Sequence, residues 1–150
     1  MKTKLFSITL FIILSLPLVA SPISTPSTTV VNAEFLFQFK SDFPTATFKE
    51  VEFKDGHYKV YFISNNGIPS YALYSRDKEL VETYFGISEN DLPLISKSHI
   101  NTKYPAHPIE ATYLVTSPNR PARYIVKLKN TEDVMYSGEG YFLRYIKDLI

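Results

Sequence analysis

Few residues in this chain are of a type and spacing that could do chemistry. His57, His99 and His107 are its 3 histidines. No two stand four apart, the spacing that sets zinc ligands on one helical face, and no third ligand accompanies any of them. Each reads as a surface or structural side chain. Glu89, Asn90 and Asp91 could offer oxygens to calcium, but the EF-hand spacing is missing, and acids just behind Ser88 suit a capped helix N-terminus instead. Glu50 and Glu52 stand two apart, as paired carboxylates on a strand would, yet Lys59 falls opposite Glu52 and makes this a solvated charged face. There is no G-x-S-x-G serine and no glycine loop to cradle phosphate. The count of 0 Cys excludes disulfides, thiolate metal sites, cysteine nucleophiles and a lipoprotein anchor. The expectation is a chain with no catalytic, metal or cofactor residue, hence not an enzyme.

Stepping along the chain, residues 1–20 read as a signal peptide: Lys2 and Lys4 precede an apolar run that ends in Pro17 and the small residues Ala20 and Ser21. The run is shorter than the roughly 20 apolar residues a spanning helix needs. Cleavage after Ala20 would lower the basic count from 16 to 14 against 15 acids, a formal −1. Near-neutral charge without a basic stripe gives no reason to bind nucleic acid. Residues 21–32, rich in Ser, Thr and Pro, read as a flexible linker. The remainder, 33–150, is expected to form one domain, exported and held together by a core to which 11 Tyr and 11 Phe contribute.

The clearest element is a β-hairpin over residues 47–63. Asp55-Gly56 suits a two-residue turn with positive φ at both positions. Folding there sets Phe53 against Tyr58 and Val51 against Val60 on one face, and Glu52 against Lys59 on the other. Phe48 breaks the alternation unless a β-bulge lies near Lys49-Glu50. Residues 33–43 can be read as a strand (Phe35, Phe37, Phe39) or as a helix (Phe35, Leu36, Phe39, Phe43); Asn32 as cap and Pro44 as stop favour the helix. A third strand covers 70–74, and 80–85 is a short strand or an extended crossover. A helix capped by Ser88 then runs from Glu89 to Tyr104. Strands follow over 109–115 and 124–128, and 135–145 closes the chain.

The two halves match. Asp42-Phe43-Pro44 corresponds to Lys103-Tyr104-Pro105, Tyr58-Lys59-Val60 to Tyr124-Ile125-Val126, and Leu73-Tyr74-Ser75 to Met135-Tyr136-Ser137. The expected fold is therefore α+β: tandem α-β-β-β repeats, about 33–86 and 87–150, forming an antiparallel sheet with two helices packed on one face. Its core would take Val51, Phe53, Tyr58, Val60, Phe62, Tyr113, Tyr124, Val126 and Leu128. With Phe43-Pro44, Tyr104-Pro105, Lys54-Asp55-Gly56-His57-Tyr58, Leu92-Pro93 and the run from Tyr74 to Leu80, the chain resembles the PepSY-like family of exported bacterial proteins, whose architecture is related to that of the β-lactamase-inhibitor protein. Ser137-Gly138-Glu139-Gly140 matches the family's acidic Gly-containing turn only loosely.

That resemblance implies a protein-binding or inhibitory role. The expected function is an exported protein-binding module, an inhibitor of a periplasmic or extracellular enzyme, acting through the exposed sheet face on a protein of the cell envelope. The residues expected there are Glu50, Glu52, Lys59, Tyr61, Ile63, Leu114, Ile125 and Lys127, with Thr112 beside them. The alternative is a small-ligand-binding or cell-envelope sensor domain of cystatin-like type, which would need a closed apolar cavity. Neither nucleic acid nor, once the signal is removed, a membrane is an expected partner.

Overall fold

The structure, a computed structural model, describes residues 33–147. The expected signal peptide (1–20) and linker (21–32) lie outside the described residues, as do positions 148–150. Helix α1 (Ala33–Asp42) leads into strands β1 (Thr47–Lys54), β2 (His57–Ile63), β3 (Pro69–Tyr74) and β4 (Leu80–Gly86). A 3-10 turn (Glu89–Asp91) and helix α2 (Leu94–Lys103) precede β5 (Ile109–Ser117), β6 (Arg120–Leu128), β7 (Asp133–Ser137) and β8 (Phe142–Ile146). All eight strands form one antiparallel sheet in the order in which they occur along the chain.

This overturns the expected tandem α-β-β-β repeats. Residues 80–86 are a full strand that pairs with both β3 and β5, and the stretch expected to close the chain is two strands, β7 and β8. Each helix is thus followed by four strands, not three. The signal for β4 is weak because Glu82, Thr83 and Tyr84 are all buried, so no polar–apolar alternation is left to read. In the last stretch the turn at Gly138 and Gly140 divides what looks continuous.

The hairpin pairs Phe53 with Tyr58, Val51 with Val60 and Glu52 with Lys59, with Asp55 at φ 50° and Gly56 at φ 82° in the turn. The register shifts between Phe48 and Glu50, the bulge that returns Phe48 to the helix side. The second helix is interrupted. Ser88 caps only the 3-10 turn, its hydroxyl accepting from the Asn90 N–H while the Asp91 carboxylate accepts from its own N–H. Pro93 then holds Leu92 extended, so α2 starts at Leu94 rather than at Glu89.

Both helices lie on one face of the sheet. Phe35, Phe39 and Phe43 cluster with Val60, Phe62, Ala72 and Tyr74, and Leu92 and Ile100 cluster with Val126, Leu128, Val134 and Tyr136. Phe39 is completely buried, its ring centroid 5.4–5.6 Å from those of Phe43, Phe48 and Phe62. Burying one such ring contributes about 1.5–3 kcal/mol. Phe53 is more exposed than a core position would be, beside the turn of the hairpin and beyond the reach of α1.

The expected phase of β5 is wrong from its second residue. A bulge at Glu110 separates the pairs Ile109–Leu128 and Ala111–Lys127. The extra residue turns the rest of the strand over, so that Thr112 and Leu114 face the helices and Tyr113 faces away from them.

Candidate functional site

Away from the helices, alternate residues of neighbouring strands stand in rows. Tyr61 pairs with Tyr71, Tyr71 with Tyr84, Tyr84 with Val115 and Val115 with Arg123. Ile125 pairs with both Tyr113 and Met135. Among the described residues no helix covers these side chains, yet Tyr71, Leu73, Tyr84, Val115, Ile125 and Met135 are buried. Curvature accounts for this. His57 on β2 and Arg144 and Ile146 on β8 line a single groove of about 260 Å³. In a flat sheet those strands would lie roughly 29 Å apart, six spacings of about 4.8 Å. The sheet therefore curls, as twisted sheets do, and its helix-free face is a trough. A second open groove, about 340 Å³, is lined by Lys59, Tyr61, Tyr71, Tyr113 and Lys127.

Three tyrosines form the centre of the trough and a fourth, Tyr61, stands at its rim. Tyr71 and Tyr84 stack with centroids 4.3 Å apart and planes 13° from parallel. Tyr113 meets both edge-on, at 5.5 and 6.3 Å, and Tyr61 lies 6.1 Å from Tyr71. Tyr113 stands opposite Gly86, where a Cβ would come within 2.3 Å of the Pro69 carbonyl oxygen. The Ser70 hydroxyl accepts from the Gly86 N–H and Asn66 donates to its carbonyl, holding the 64–70 loop against the strand. Burial raises the phenol pKa of both Tyr71 and Tyr84, since the interior disfavours phenolate; at Tyr84 the hydrogen bond to Glu82 adds to the rise.

Charges sit at defined places in this lining. The Lys59 ammonium lies 4.3 Å from the centroid of Tyr71 and 5.3 Å from that of Tyr61, in reach of a cation–π attraction. Desolvation lowers its pKa; Glu52 works in the opposite direction, while Lys54 and Lys127 lower it further. Farther along, the buried Glu82 carboxylate accepts from the Arg123 guanidinium at 2.5 Å and from the Tyr84 hydroxyl at 2.7 Å, with Arg120 at 3.4 Å.

Of the residues expected on the exposed face, Glu50 and Glu52 lie exposed on β1, and Tyr61 reaches Glu52 through a long 3.4 Å hydrogen bond. Lys59, Tyr61 and Lys127 line the 340 Å³ groove. Ile63 lies on the same side of β2 as Tyr61 and is half-buried. Ile125 is on this face but forms its floor, 1% exposed. Leu114 does not join them: it pairs with Phe85 and Tyr124 on the helix side. Sequence reasoning missed Tyr71, Tyr84, Tyr113, Arg120, Arg123 and Arg144. The lone acid Glu82 within Leu-Val-Glu-Thr-Tyr-Phe was the available signal, since a carboxylate inside an apolar strand needs a buried partner.

The histidines sit apart from one another: His57 Nδ1 lies 3.2 Å from the Asp55 carbonyl, His107 Nδ1 3.0 Å from that of Lys129, and His99 Nδ1 3.0 Å from the Tyr136 hydroxyl. Among the described residues there is no cluster of three or more His, Asp or Glu able to hold a metal ion. Among them, too, no helix is long and apolar enough to cross a membrane.

Solved structures share this architecture. A BLIP-like protein from Bacteroides fragilis superposes with a TM-score of 0.62 at 17% identity, over 79% of this chain and 89% of that one. The fold is BLIP-like. A candidate periplasmic protein from Bacteroides eggerthii gives a TM-score of 0.67 at 14% identity, covering 77% of this chain and 87% of the other. A DUF2874 family protein from Bacteroides ovatus gives 0.63 at 20% identity, covering 78% and 89%. At such identities the likeness is one of fold. No family model and no curated protein matches the chain, so the PepSY-like membership implied by its motifs is not shown.

Proposed function

We propose that this chain is an exported protein-binding module that acts in the periplasm or outside the cell, and that its helix-free trough receives a protein of the cell envelope. The observation that carries this reading is the cluster of Tyr61, Tyr71, Tyr84 and Tyr113, organised by contacts among themselves and left uncovered by either of the described helices. Tyrosine brings large contact area with little conformational entropy to lose, and with arginine it is enriched at the centres of protein interfaces. Both grooves are open, one lined by tyrosines and the other by arginines over an apolar floor, a shape suited to another protein's surface rather than to an enclosed small molecule. The BLIP-like and periplasmic descriptions of two fold neighbours support the same reading. On it, residues 1–20 are a cleaved signal, 21–32 a tether and 33–150 the binding domain, and engagement of an enzyme partner would inhibit it rather than perform chemistry.

Capture from an envelope extract tests this. The mature protein should retain a specific partner, and Tyr61→Ala and Lys127→Glu should each weaken that complex at least tenfold. Equal affinity in both variants would move the binding surface elsewhere, first to the loops around Asn65-Asn66-Gly67 and Pro118-Asn119-Arg120.

A further inference from the structure

The trough is electrically uneven. The 260 Å³ groove is lined by Arg120, Arg123 and Arg144, with His57 at its edge, and Glu82 is the one carboxylate in that lining. Glu82 already accepts from Arg123 and from the Tyr84 hydroxyl, and Arg120 reaches it only at 3.4 Å from the solvent side. Three guanidiniums against one carboxylate leave this groove two positive charges in excess with His57 neutral, in a chain whose whole formal charge is +1. Arg120 has 66% of its side chain exposed, and Arg144 is exposed on β8. Beneath them the floor is apolar: Leu73, Ile125 and Met135 are buried, with Val81 and Ile146 packed against them. At the opposite side of the trough, β1 carries the exposed acids Glu50 and Glu52.

We propose that the groove between Arg120 and Arg144 takes an acidic loop of a protein partner, a carboxylate side chain engaging the two guanidiniums while a neighbouring apolar side chain seats on Met135 and Ile146. This rests on the reading of the trough as a protein-binding site and adds the chemistry of what enters it. Guanidinium groups match carboxylates through two parallel N–H donors, and a concave, partly desolvated wall strengthens that attraction. A nucleic-acid strand fits less well. Its evenly spaced phosphates would meet cations at one end of the trough, but at the other they would meet the Glu50 and Glu52 carboxylates interleaved with Lys59 and Lys127.

The test is selection of a displayed library of random twelve-residue peptides on the mature chain, followed by titration of a synthetic copy of an enriched peptide. Enriched peptides should carry Asp or Glu beside an aromatic or aliphatic residue. Their affinity should fall tenfold or more in Arg144→Glu and severalfold in the gentler Arg120→Gln, with melting temperatures unchanged. An Asp/Glu→Lys copy of the peptide should regain binding to Arg144→Glu. The proposal is overturned if enriched peptides lack acids, if none is enriched, if both arginine variants bind as the parent does, or if single-stranded DNA binds more tightly than the peptide. If the captured envelope protein is lost in Tyr61→Ala but retained in both arginine variants, the trough remains the binding site and the arginine assignment alone falls. If no variant affects capture, both fall.

Discussion

One sheet here is buried on both faces by different means. On the helix side, Phe35 and Phe39 of α1, with Phe43 just beyond its end, lie on Val60, Phe62, Ala72 and Tyr74, a two-layer core. The fully buried tyrosines there find hydroxyl partners on the helices, Tyr74 donating to Asp42 at 2.9 Å and Tyr136 lying 3.0 Å from His99 Nδ1. On the other side the described residues form no second layer, and Tyr71, Tyr84 and Ile125 are removed from water by curvature and by one another. A face buried by a helix is closed to partners; a face buried by its own curl keeps an open mouth. Large apolar groups can thus be stable and accessible together, which a binding surface requires.

The largest effects should come from the deepest positions. Phe39→Ala, under α1, should cost about 3–5 kcal/mol, and Ile125→Ala, under no helix, about 2–5 kcal/mol. Urea titration of both variants checks this, and an Ile125→Ala cost below 1 kcal/mol would show that the curled face is not a packed core. Next comes Glu82→Ala, which strands the Arg123 guanidinium against apolar neighbours and should cost about 3 kcal/mol. The double change Glu82→Leu with Arg123→Met should recover most of that loss, and failure to do so would mean the pair does more than neutralise itself.

Alkaline pH should separate the buried phenols from exposed ones. Tyr71 and Tyr84 have folded pKa values raised above 10, so at pH above 10 the unfolded chain loses protons that the folded chain keeps. Their contribution is fully present below pH 10 and is lost as pH climbs beyond it. Lys59 acts with the opposite sign: its folded pKa lies below 10.5, so its penalty is relieved as pH rises toward that value. Two strongly raised phenols outweigh one lowered ammonium, and net stability should fall above pH 10. Phenolate absorbance near 295 nm should show a late-ionising class that appears together with unfolding. A single transition at the exposed-tyrosine midpoint, with the fold intact, would contradict the stacked geometry. Smallest in stability is Tyr61→Ala, at the trough's rim, expected within about 1 kcal/mol of wild type. A larger loss would mean that Tyr61 supports the core and that its effect on binding could not be read separately.

The hairpin was legible because its information is local. Asp55-Gly56 sets the turn, the turn sets the register, and Phe48, out of phase by one, requires the bulge found between it and Glu50. The bulge at Glu110 has no such marker: Ile109, Ala111, Tyr113 and Val115 alternate without a break, so the sequence implies one continuous phase that would put Leu114 outside. Strand β4 was obscured for a related reason. A strand buried on both faces alternates in nothing, and the partner that lets Glu82 be buried, Arg123, lies 41 positions away.

Turns, caps and strand pairing between neighbours follow from side chains a few residues apart, and those the chain declares by itself: the hairpin, the Ser88 cap and the proline after each helix. Curvature does not. It accumulates from small twists over eight strands, and it decides that Lys59 and Lys127 share one groove and that three arginines from β6 and β8 surround another. Sequence could supply the tyrosines and the arginines; only the curl of the open sheet made them one surface.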